Sequence, residues 1–514
     1  MHSTRFSQLN SVEPKTLIQS WLQQGQTIRP FWPFPSTFQG IVDRLAKSDG
    51  INMERRSLVA NALEQQYQDA GMAIPANLKA FRSGARAVTT GHQLVLMGGP
   101  AFFHYKIMSA VRWAESLSEQ GVVAVPVFWL ASEDHDFEEI ARVFSREQAP
   151  FHWQPDADPQ AKAVGRLLWT PEDEEALAEW AQQSDVLPMD SIAGSTPMSL
   201  AQRVRLWIHD MFEGLGVLVI DGDDPALKEM AGHLWSAEWK GQGIAEAVKH
   251  STAALELAGW KAQLRIQENN LFHLNSEGER TRADRWIKEQ RALAWQDEPE
   301  FNWSPNAALR PIYQEFLLQS AAVIGGPGEI AYWLQLGGAF QHHAVEQPAL
   351  MLRDGALVWS KEQAALAKEV GWSPITGMWT GMEASNRWVS MHMDPDNEVH
   401  RAWDEWGKAL EAHAVGMGRD VLPTTRASLS NMEKEWLRLQ KKWRKAVRSR
   451  HVVKCQQLEV LFDGVLFPEG SPQERLINVR ALVQDENSLA GLNRTWLEKS
   501  KDSVEPVFFV FESL

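Results

Sequence analysis

The chain has 514 residues and a formal net charge of −15, with 51 lysines and arginines against 66 aspartates and glutamates. This length suits an enzyme of several domains, and the acidic balance argues against binding to nucleic acid or to anionic membranes. The single cysteine, Cys455, excludes an intrachain disulfide and favours the cytoplasm, and no apolar run reaches the ~18 residues of a membrane span.

A helical lead-in is predicted over 1–80, followed by the strand, turn and helix that open a core over 81–355. The β-favouring run at 85–90 meets a glycine-rich turn, and a helix is predicted over 101–117. Glycines let a backbone approach an anion closely, and amide groups at the start of a helix can bind it. The candidate binding residues of this turn are Gly91, Gln93, Gly98 and Gly99. The glycines could equally serve only to close a tight connection.

His92, at the end of the same predicted strand, is a candidate catalytic residue. An imidazole titrates near neutral pH and could transfer a proton or stabilise a developing negative charge. A buried, hydrogen-bonded structural histidine is the competing interpretation.

The next strand, predicted over 122–130, is almost wholly apolar, as in a parallel sheet covered on both faces. It leads into the acidic cluster 132–136, and ligands of such sheets bind beyond the carboxyl ends of the strands. Asp134, His135 and Asp136 are therefore candidate catalytic residues. Mutual repulsion is expected to raise the pKa values of the carboxyl groups and to favour a protonated His135.

Two further considerations limit what the acidic cluster can do. In an extended segment His135 would point away from Asp134 and Asp136, which disfavours one metal ion bound by all three. Asp136 also has capping-box spacing with Glu139, so a helix cap is the alternative role for its side chain.

A polar segment at 141–200 is predicted to be an insertion before the sheet resumes at 217–221. A third strand, turn and helix contains the candidate binding residues Gly325, Gly326, Gly328 and Glu329. Residues 326–331 match the dinucleotide pattern G-x-G-x-x-A, which alone would predict an NAD(P)-binding oxidoreductase. Pro327 and Glu329 argue against that function, because they remove an amide donor and add a negative charge where a pyrophosphate would bind.

A helical arm is predicted over 356–455, and residues 456–514 are predicted to return to the core and to end in a strand over 504–511. Alternating steps of three and four residues, typical of a coiled-coil seam, connect Leu429, Met432, Trp436, Leu439, Trp443 and Ala446. The basic side chains at 434–450 are interpreted as a solvated helix face rather than an RNA-binding surface.

Several longer motifs resemble the bacillithiol cysteine-adding enzyme family, BshC. They are TGHQ at 90–93, VPVFW at 125–129 with EDHDF at 133–137, and IGGPGEIAYWLQL at 324–336. SPN at 304–306, LRPIYQE at 309–315, LFPEGS at 466–471 and QER at 473–475 extend the likeness over about 85–480.

The resemblance implies an α/β fold, with a Rossmann-like parallel-sheet core akin to class I aminoacyl-tRNA synthetases and an inserted α-helical coiled-coil arm that forms a homodimer. It implies a ligase that joins L-cysteine to glucosaminyl-malate through an amide bond, in the last step of bacillithiol biosynthesis. A free carboxylate must be activated before it forms an amide, so ATP is the inferred cosubstrate, with Mg²⁺ as its candidate companion ion. No metal site is predicted from the residues themselves.

The resemblance also suggests roles by position. The turn at 91–99 would line a nucleotide or anion subsite, and the cluster 134–136 would deprotonate or orient the amine. Arg310, whose planar fork suits the malate carboxylates, and Asn306 are further binding candidates. His92 stands where many relatives carry Gln, which argues against an obligatory catalytic role. A non-catalytic ligand-binding scaffold of the thiol pathway is the alternative function, and an oxidoreductase is the third.

Overall fold

The computed structural model describes residues 2–5, 17–23, 27–146, 148–189, 196–290, 298–393, 398–418 and 420–512. At its centre lies a five-stranded parallel sheet, ordered β3-β2-β1-β4-β5. Its strands are β1 Arg86–His92, β2 Ala124–Leu130, β3 Leu218–Asp221, β4 Ala322–Gly325 and β5 Ala349–Leu352. The strand order reverses between the neighbours β1 and β4, since β2 and β3 extend the sheet on one side and β5 extends it on the other. This reversal opens a crevice beyond the carboxyl ends of β1 and β4. The predicted Rossmann-like α/β core is confirmed.

The apolar character of β2 has the predicted cause, since every residue from Val125 to Leu130 is buried between helical layers. Its neighbour β1 is tied to β4 at the crevice end, where the Thr90 hydroxyl donates to the Ile324 carbonyl over 3.0 Å. Both strands therefore end at the same height, next to the turns that follow them.

Helices cover both faces of the sheet. Three of them position the crevice: α1 Ala101–Glu119, α2 Arg310–Leu318 and α3 Pro327–Trp333. The longest, α1, is buried around most of its circumference because it lies between the sheet and the C-terminal helix Glu486–Ser500, where Tyr105 packs on Trp496 with ring centroids 5.0 Å apart. The other helices of this part are Leu17–Leu22, Phe38–Ala46, Met53–Asp69, Asn77–Arg82, Phe137–Ile140, Leu200–Met211, Pro225–Met230, Gly232–Trp239, Ala245–Leu257 and Gly337–His342.

Two insertions and a second sheet surround this core. The predicted insertion after β2 holds the helix Pro171–Gln183 and the paired short strands Arg142–Val143 with Phe151–His152 and Leu168–Trp169 with Met198–Ser199. A three-stranded antiparallel sheet that was not predicted, Leu271–Leu274, Arg280–Arg282 and Trp303–Pro305, precedes α2, with the helix Ala283–Gln290 beside it. The predicted final strand is present as Val507–Glu512 and pairs with Gly355–Trp359 and His2–Arg5.

The arm contains the helices Lys361–Glu369, Gly381–Met393, Glu398–Met417, Val421–Arg450 and Val452–Val460. Some residues of its predicted seam pack inside the arm, and others are exposed on its surface. Trp436 and Trp443 are half-buried, and Trp436 stacks on Trp403 of the neighbouring helix with ring centroids 5.1 Å apart. Met432 and Leu439 are 42% and 40% exposed. Within the described ranges, no helix combines the length and the apolar character needed to cross a bilayer.

We expect Leu439→Asp to abolish a homodimer formed through this seam, because a carboxylate would lose its hydration in an apolar contact between two arms. Light scattering after size-exclusion chromatography would report half the mass of the unmodified protein. Leu437→Asp is the matched control, since Leu437 is 56% exposed and lies off the seam. A dimer that survives Leu439→Asp would mean that the subunits associate elsewhere.

Candidate functional site

A cavity of about 550 Å³ lies beyond the carboxyl ends of β1 and β4, at the crossing point of the sheet. Eight predicted site residues line it: Gly91, His92, Gln93, Asp134, Arg310, Gly326, Gly328 and Glu329. A larger cavity of about 760 Å³ lies between the first insertion and the strand Gly355–Trp359, and none of the predicted site residues lines it. The strand-end cavity is therefore the candidate functional site.

Asp134 is the carboxylate that follows β2 and enters the cavity. One of its oxygens accepts a hydrogen bond from Gln93 Nε2 at 3.2 Å, and the other accepts from the His135 amide at 2.8 Å. Burial alone would raise the pKa of Asp134, but Arg280 and Arg310 outweigh burial and hold the pKa below its ordinary value of 3.8. The predicted rise is thus wrong for Asp134, because the neighbouring charges that matter are cationic.

His135 and Asp136 do not line the cavity. The side chain of His135 is 40% exposed, and its Nδ1 lies 3.2 Å from an Arg280 nitrogen. The same nitrogen lies 3.7 Å from an Asp134 oxygen, so His135 lies between a cation and an anion, and its protonation stays a prediction. Asp136 is exposed, and its side chain makes no capping hydrogen bond to the helix Phe137–Ile140, so the predicted cap is absent.

His92 lies at the cavity wall, with its ring packed edge-on against Phe102 and Phe103. Its Nδ1 is 3.2 Å from the Gln93 carbonyl oxygen, which can only accept, so Nδ1 donates. Burial and the nearby Lys106 lower the pKa of His92 to about 3. The ring is therefore neutral at physiological pH, and the expectation of a proton shuttle that titrates near neutrality is not met.

Gly98 and Gly99 shape the turn before α1 but do not line the cavity. Both have positive φ angles, 74° and 53°. A Cβ on Gly98 would come within 2.6 Å of Met211, and one on Gly99 within 2.5 Å of Val95. The amide of Ala101, the first residue of α1, donates to the Ile477 carbonyl at 2.8 Å. For these two glycines, the geometry agrees with the alternative of a tight connection.

The turn before α3 forms the opposite wall of the cavity. Glu329 accepts from the Gly326 amide at 3.3 Å and lies 2.6 Å from Lys106 Nζ, which also donates to the Gly91 carbonyl at 2.6 Å. The protein's own carboxylate thus occupies the place that a dinucleotide pyrophosphate would need. This geometry argues against the oxidoreductase, as the sequence around Glu329 had suggested.

Gly326 and Gly328 differ from the other glycines of the site. A Cβ added to either would meet no atom within 4 Å, and neither has a positive φ angle. Neither packing nor backbone conformation therefore explains the absence of a side chain. Gly325, in contrast, is buried beside Ile330 and does not line the cavity.

Arg310 begins α2 and points into the cavity. The turn before it is fixed by Asn306, which does not line the cavity: its side-chain oxygen accepts the amides of Ala308 and Leu309, and its carbonyl accepts the Arg310 amide at 2.9 Å. Asn306 thus positions Arg310 rather than binding a ligand in the cavity.

Sequence reasoning missed other residues that line the cavity, including Lys106, Tyr332, Arg353, Ser471 and Arg475. Arg353 pairs with Glu474 at 2.6 Å. In the described part of the chain, neither Arg310 nor Arg475 has a carboxylate within 4 Å. The matched motifs at 324–336 and 466–475 contained Tyr332, Ser471 and Arg475, so the resemblance offered a signal for these three. Lys106 had none, because it lies inside a predicted helix.

The fold and the site define a Rossmann-like protein with a helical arm and a cationic small-molecule cavity at the crossing point of its sheet. Comparison with known families identifies it further. Residues 4–354 match the description "Bacillithiol biosynthesis BshC, N-terminal Rossmann-like domain", and residues 356–493 match the corresponding C-terminal coiled-coil domain. The chain belongs to the BshC family of bacillithiol biosynthesis.

Three relatives that cover 76–96% of this chain carry the name "Putative cysteine ligase BshC". The protein from Cytophaga hutchinsonii is 27% identical over 96% of this chain and 95% of its own length. The one from Flavobacterium johnsoniae is 27% identical over 90% and 91%. The one from Salinibacter ruber is 30% identical over 76% and 77%.

Proposed function

We propose that this chain is an ATP-dependent ligase that joins L-cysteine to the amino group of glucosaminyl-malate in the last step of bacillithiol biosynthesis, in the cytoplasm. The name of its relatives supports the cysteine-ligase activity. The observation that carries the choice of substrate is the pair of guanidinium groups in the cavity, Arg310 and Arg475, without a carboxylate partner among the described residues. Malate offers two carboxylates, and each can accept paired hydrogen bonds from a planar guanidinium group of opposite charge.

Asp134 is proposed to bind the amino group that forms the amide. Its pKa lies below the ordinary value, so the carboxylate is charged at neutral pH and attracts an amine or ammonium group. The low pKa also makes it a weak base, which favours orienting the amine over removing its proton. Gln93, which donates to the same carboxylate, would fix its direction.

ATP is proposed because an amide does not form usefully from a free carboxylate and an amine in water. The cavity can bind an anionic nucleotide, because the guanidinium groups of Arg310 and Arg475 suit phosphate as well as carboxylate. When bound, ATP would activate the cysteine carboxyl group, either as an acyl adenylate with release of pyrophosphate or as an acyl phosphate with release of ADP, and Mg²⁺ is the ion to test with it.

The direct test is reconstitution. Purified protein with cysteine, glucosaminyl-malate, ATP and Mg²⁺ is expected to form the cysteine amide, detected by mass spectrometry, and omission of ATP is expected to stop its formation. Chromatography of the spent nucleotide distinguishes the two activation routes, since AMP indicates an adenylate and ADP an acyl phosphate. Folded protein that makes no product with every substrate present would contradict the proposal.

We expect Gly328→Ala to raise stability while lowering activity. The residue lies in the first turn of α3 with ordinary φ, so alanine is expected to add ~0.4–1 kcal/mol to the free energy of unfolding. Its methyl group would extend into the cavity and is expected to raise the KM of one substrate by roughly 10-fold, the cost of a ~1.4 kcal/mol loss of binding. Thermal unfolding and initial rates measure the two effects.

The matched control is Gly491→Ala, inside the helix Glu486–Ser500, where an added Cβ also meets no atom within 4 Å. This variant should gain stability without a change in KM. Unchanged KM values in Gly328→Ala would remove Gly328 from the binding surface.

A further inference from the structure

Lys228 lies in the helix Pro225–Met230, behind the loop that carries Asp134, and does not line the cavity. Its side chain is fully buried, with Nζ 2.7 Å from a Glu133 oxygen, 2.5 Å from an Asp223 oxygen and 3.3 Å from the Phe301 carbonyl. Burial alone would lower the pKa of Lys228, but Asp223 and Glu133 outweigh burial and raise it, so the ammonium stays charged. Glu133 is therefore held in the interior by ion pairing with a buried ammonium group.

The rest of this loop is held from the other side. The Ser132 carbonyl accepts the Gly165 amide at 2.8 Å, and the Asp134 carbonyl accepts the Val164 amide at 2.7 Å. The Ser132 hydroxyl donates to Asp221 at the end of β3. With the backbone fixed by these contacts, the direction of each side chain follows from its neighbours.

Glu133 and Asp134 are consecutive and point in opposite directions. Glu133 is buried against Lys228, whereas Asp134 enters the cavity. We infer that Lys228 is a positioning residue: by anchoring the Glu133 side chain in the interior, it directs the next side chain, Asp134, into the cavity. The inference rests on the proposed function for its consequence in catalysis, but its structural part can be measured without turnover.

Removing Lys228 alone is a poor test, because Glu133 and Asp223 would be left as two buried carboxylates and the protein could unfold. Two variants of Glu133 separate anchoring from charge. Glu133→Gln and Glu133→Met both remove one negative charge and are similar in length. Only glutamine keeps an oxygen that can accept from Lys228 Nζ, and in both variants Lys228 remains paired with Asp223, which Arg166 also holds at 2.7 Å. A third variant, Lys228→Met with Glu133→Gln, removes the lysine itself.

The first readout is the titration of Asp134 by carbon-13 NMR, with the carboxyl signal assigned by its loss in Asp134→Asn. Asp134 is surrounded by Gln93, His135, Arg280 and Arg310. In Glu133→Gln its pKa should stay below the ordinary value. In Glu133→Met and in the double variant it should rise toward that value, because the carboxylate no longer lies against its donors. The control is Arg44→Met with Glu346→Gln, a pair 2.7 Å apart outside the cavity in which Arg44 is buried and Glu346 is half-buried; it should leave Asp134 unchanged.

The second readout is the ligase rate. Glu133→Gln should keep kcat within about threefold of the unmodified protein, whereas Glu133→Met and the double variant should lose at least ~10-fold in kcat with KM for cysteine nearly unchanged. Equal Asp134 titration in the glutamine and methionine variants would overturn the inference. Unfolding of Glu133→Met while Glu133→Gln folds would overturn it too, since the anchor would then be purely structural. If the unmodified protein makes no product, the proposed function fails and the titration alone decides the positioning role.

Discussion

Replacing Asp134 with asparagine is expected to lower the rate of cysteine amide formation by roughly 100-fold while leaving the protein folded. Asparagine keeps the size of the side chain and can still accept from Gln93, but it removes the negative charge that is proposed to bind the amine. Initial rates from mass spectrometry measure the loss, and thermal unfolding checks the fold.

Asp136→Asn is the matched control for this experiment. Asp136 lies two residues from Asp134 and is exposed outside the cavity, so the Asp136→Asn protein should have unchanged activity. If Asp134→Asn kept full activity, and cells carrying it kept full thiol production, the non-catalytic scaffold would become the better interpretation. If both variants failed equally, a general effect of the acidic loop would replace a specific role for Asp134.

The charge of Asp134 also predicts how the rate of amide formation depends on pH. Its charged form is the active one and is present above its pKa, which Arg280 and Arg310 hold below 3.8. Protonation of Asp134 therefore takes place only at lower pH than for an ordinary carboxyl group, and Asp134 should cause no loss of rate between about pH 5 and 7. The neutral His92, with its pKa of about 3, should cause none either.

The elements that the sequence predicted well are those with local patterns. The uninterrupted apolar residues of β2 predicted a doubly covered strand, and the glycine turns after β1 and β4 marked the two strand ends that meet at the cavity. Because parallel strands end at the same edge, local patterns were enough to bring Gly91, Asp134 and Gly328 into one site.

What local patterns could not reveal was the electrostatic environment. From the sequence, the loop 132–136 is expected to be a cluster of mutually repelling carboxylates. In the structure, Arg280 from the three-stranded sheet and Arg310 from α2 lower the pKa of Asp134. Arg475 likewise reaches the cavity from a distant point in the sequence. Contacts between residues more than a hundred positions apart decide the charge state of Asp134, and no local periodicity encodes them.

The arm illustrates a second limit. A heptad-like spacing identifies apolar positions but not their partners. Trp436 contacts a helix of the same chain, whereas Leu439, on the same predicted seam, stays exposed. The homodimer through this surface accordingly stays a prediction that the Leu439→Asp experiment can decide.

Arg310→Ala is expected to raise the KM for glucosaminyl-malate by roughly 100-fold, with a much smaller change in KM for cysteine. A guanidinium that binds a carboxylate through charge-assisted hydrogen bonds contributes ~1.5–3 kcal/mol, and ~2.7 kcal/mol corresponds to a factor of 100. Among the described residues, the guanidinium group of Arg310 has a single hydrogen-bond contact, a long one of 3.4 Å to the Tyr332 hydroxyl, so its other donors are available to a ligand. The KM of Arg310→Lys for glucosaminyl-malate should lie between those of the unmodified protein and Arg310→Ala, because lysine keeps the charge but not the planar fork.

The decisive comparison uses an acceptor that lacks malate, such as the methyl glycoside of glucosamine. The unmodified protein should use this truncated acceptor poorly, and Arg310→Ala should reduce its use little further, since the group that Arg310 binds is already missing. An equal loss with both acceptors, together with a raised KM for ATP, would instead assign Arg310 to the nucleotide phosphates. Arg475→Ala should be compared with both acceptors in the same way. The guanidinium group whose removal harms use of glucosaminyl-malate much more than use of the truncated acceptor is the one that binds the malate.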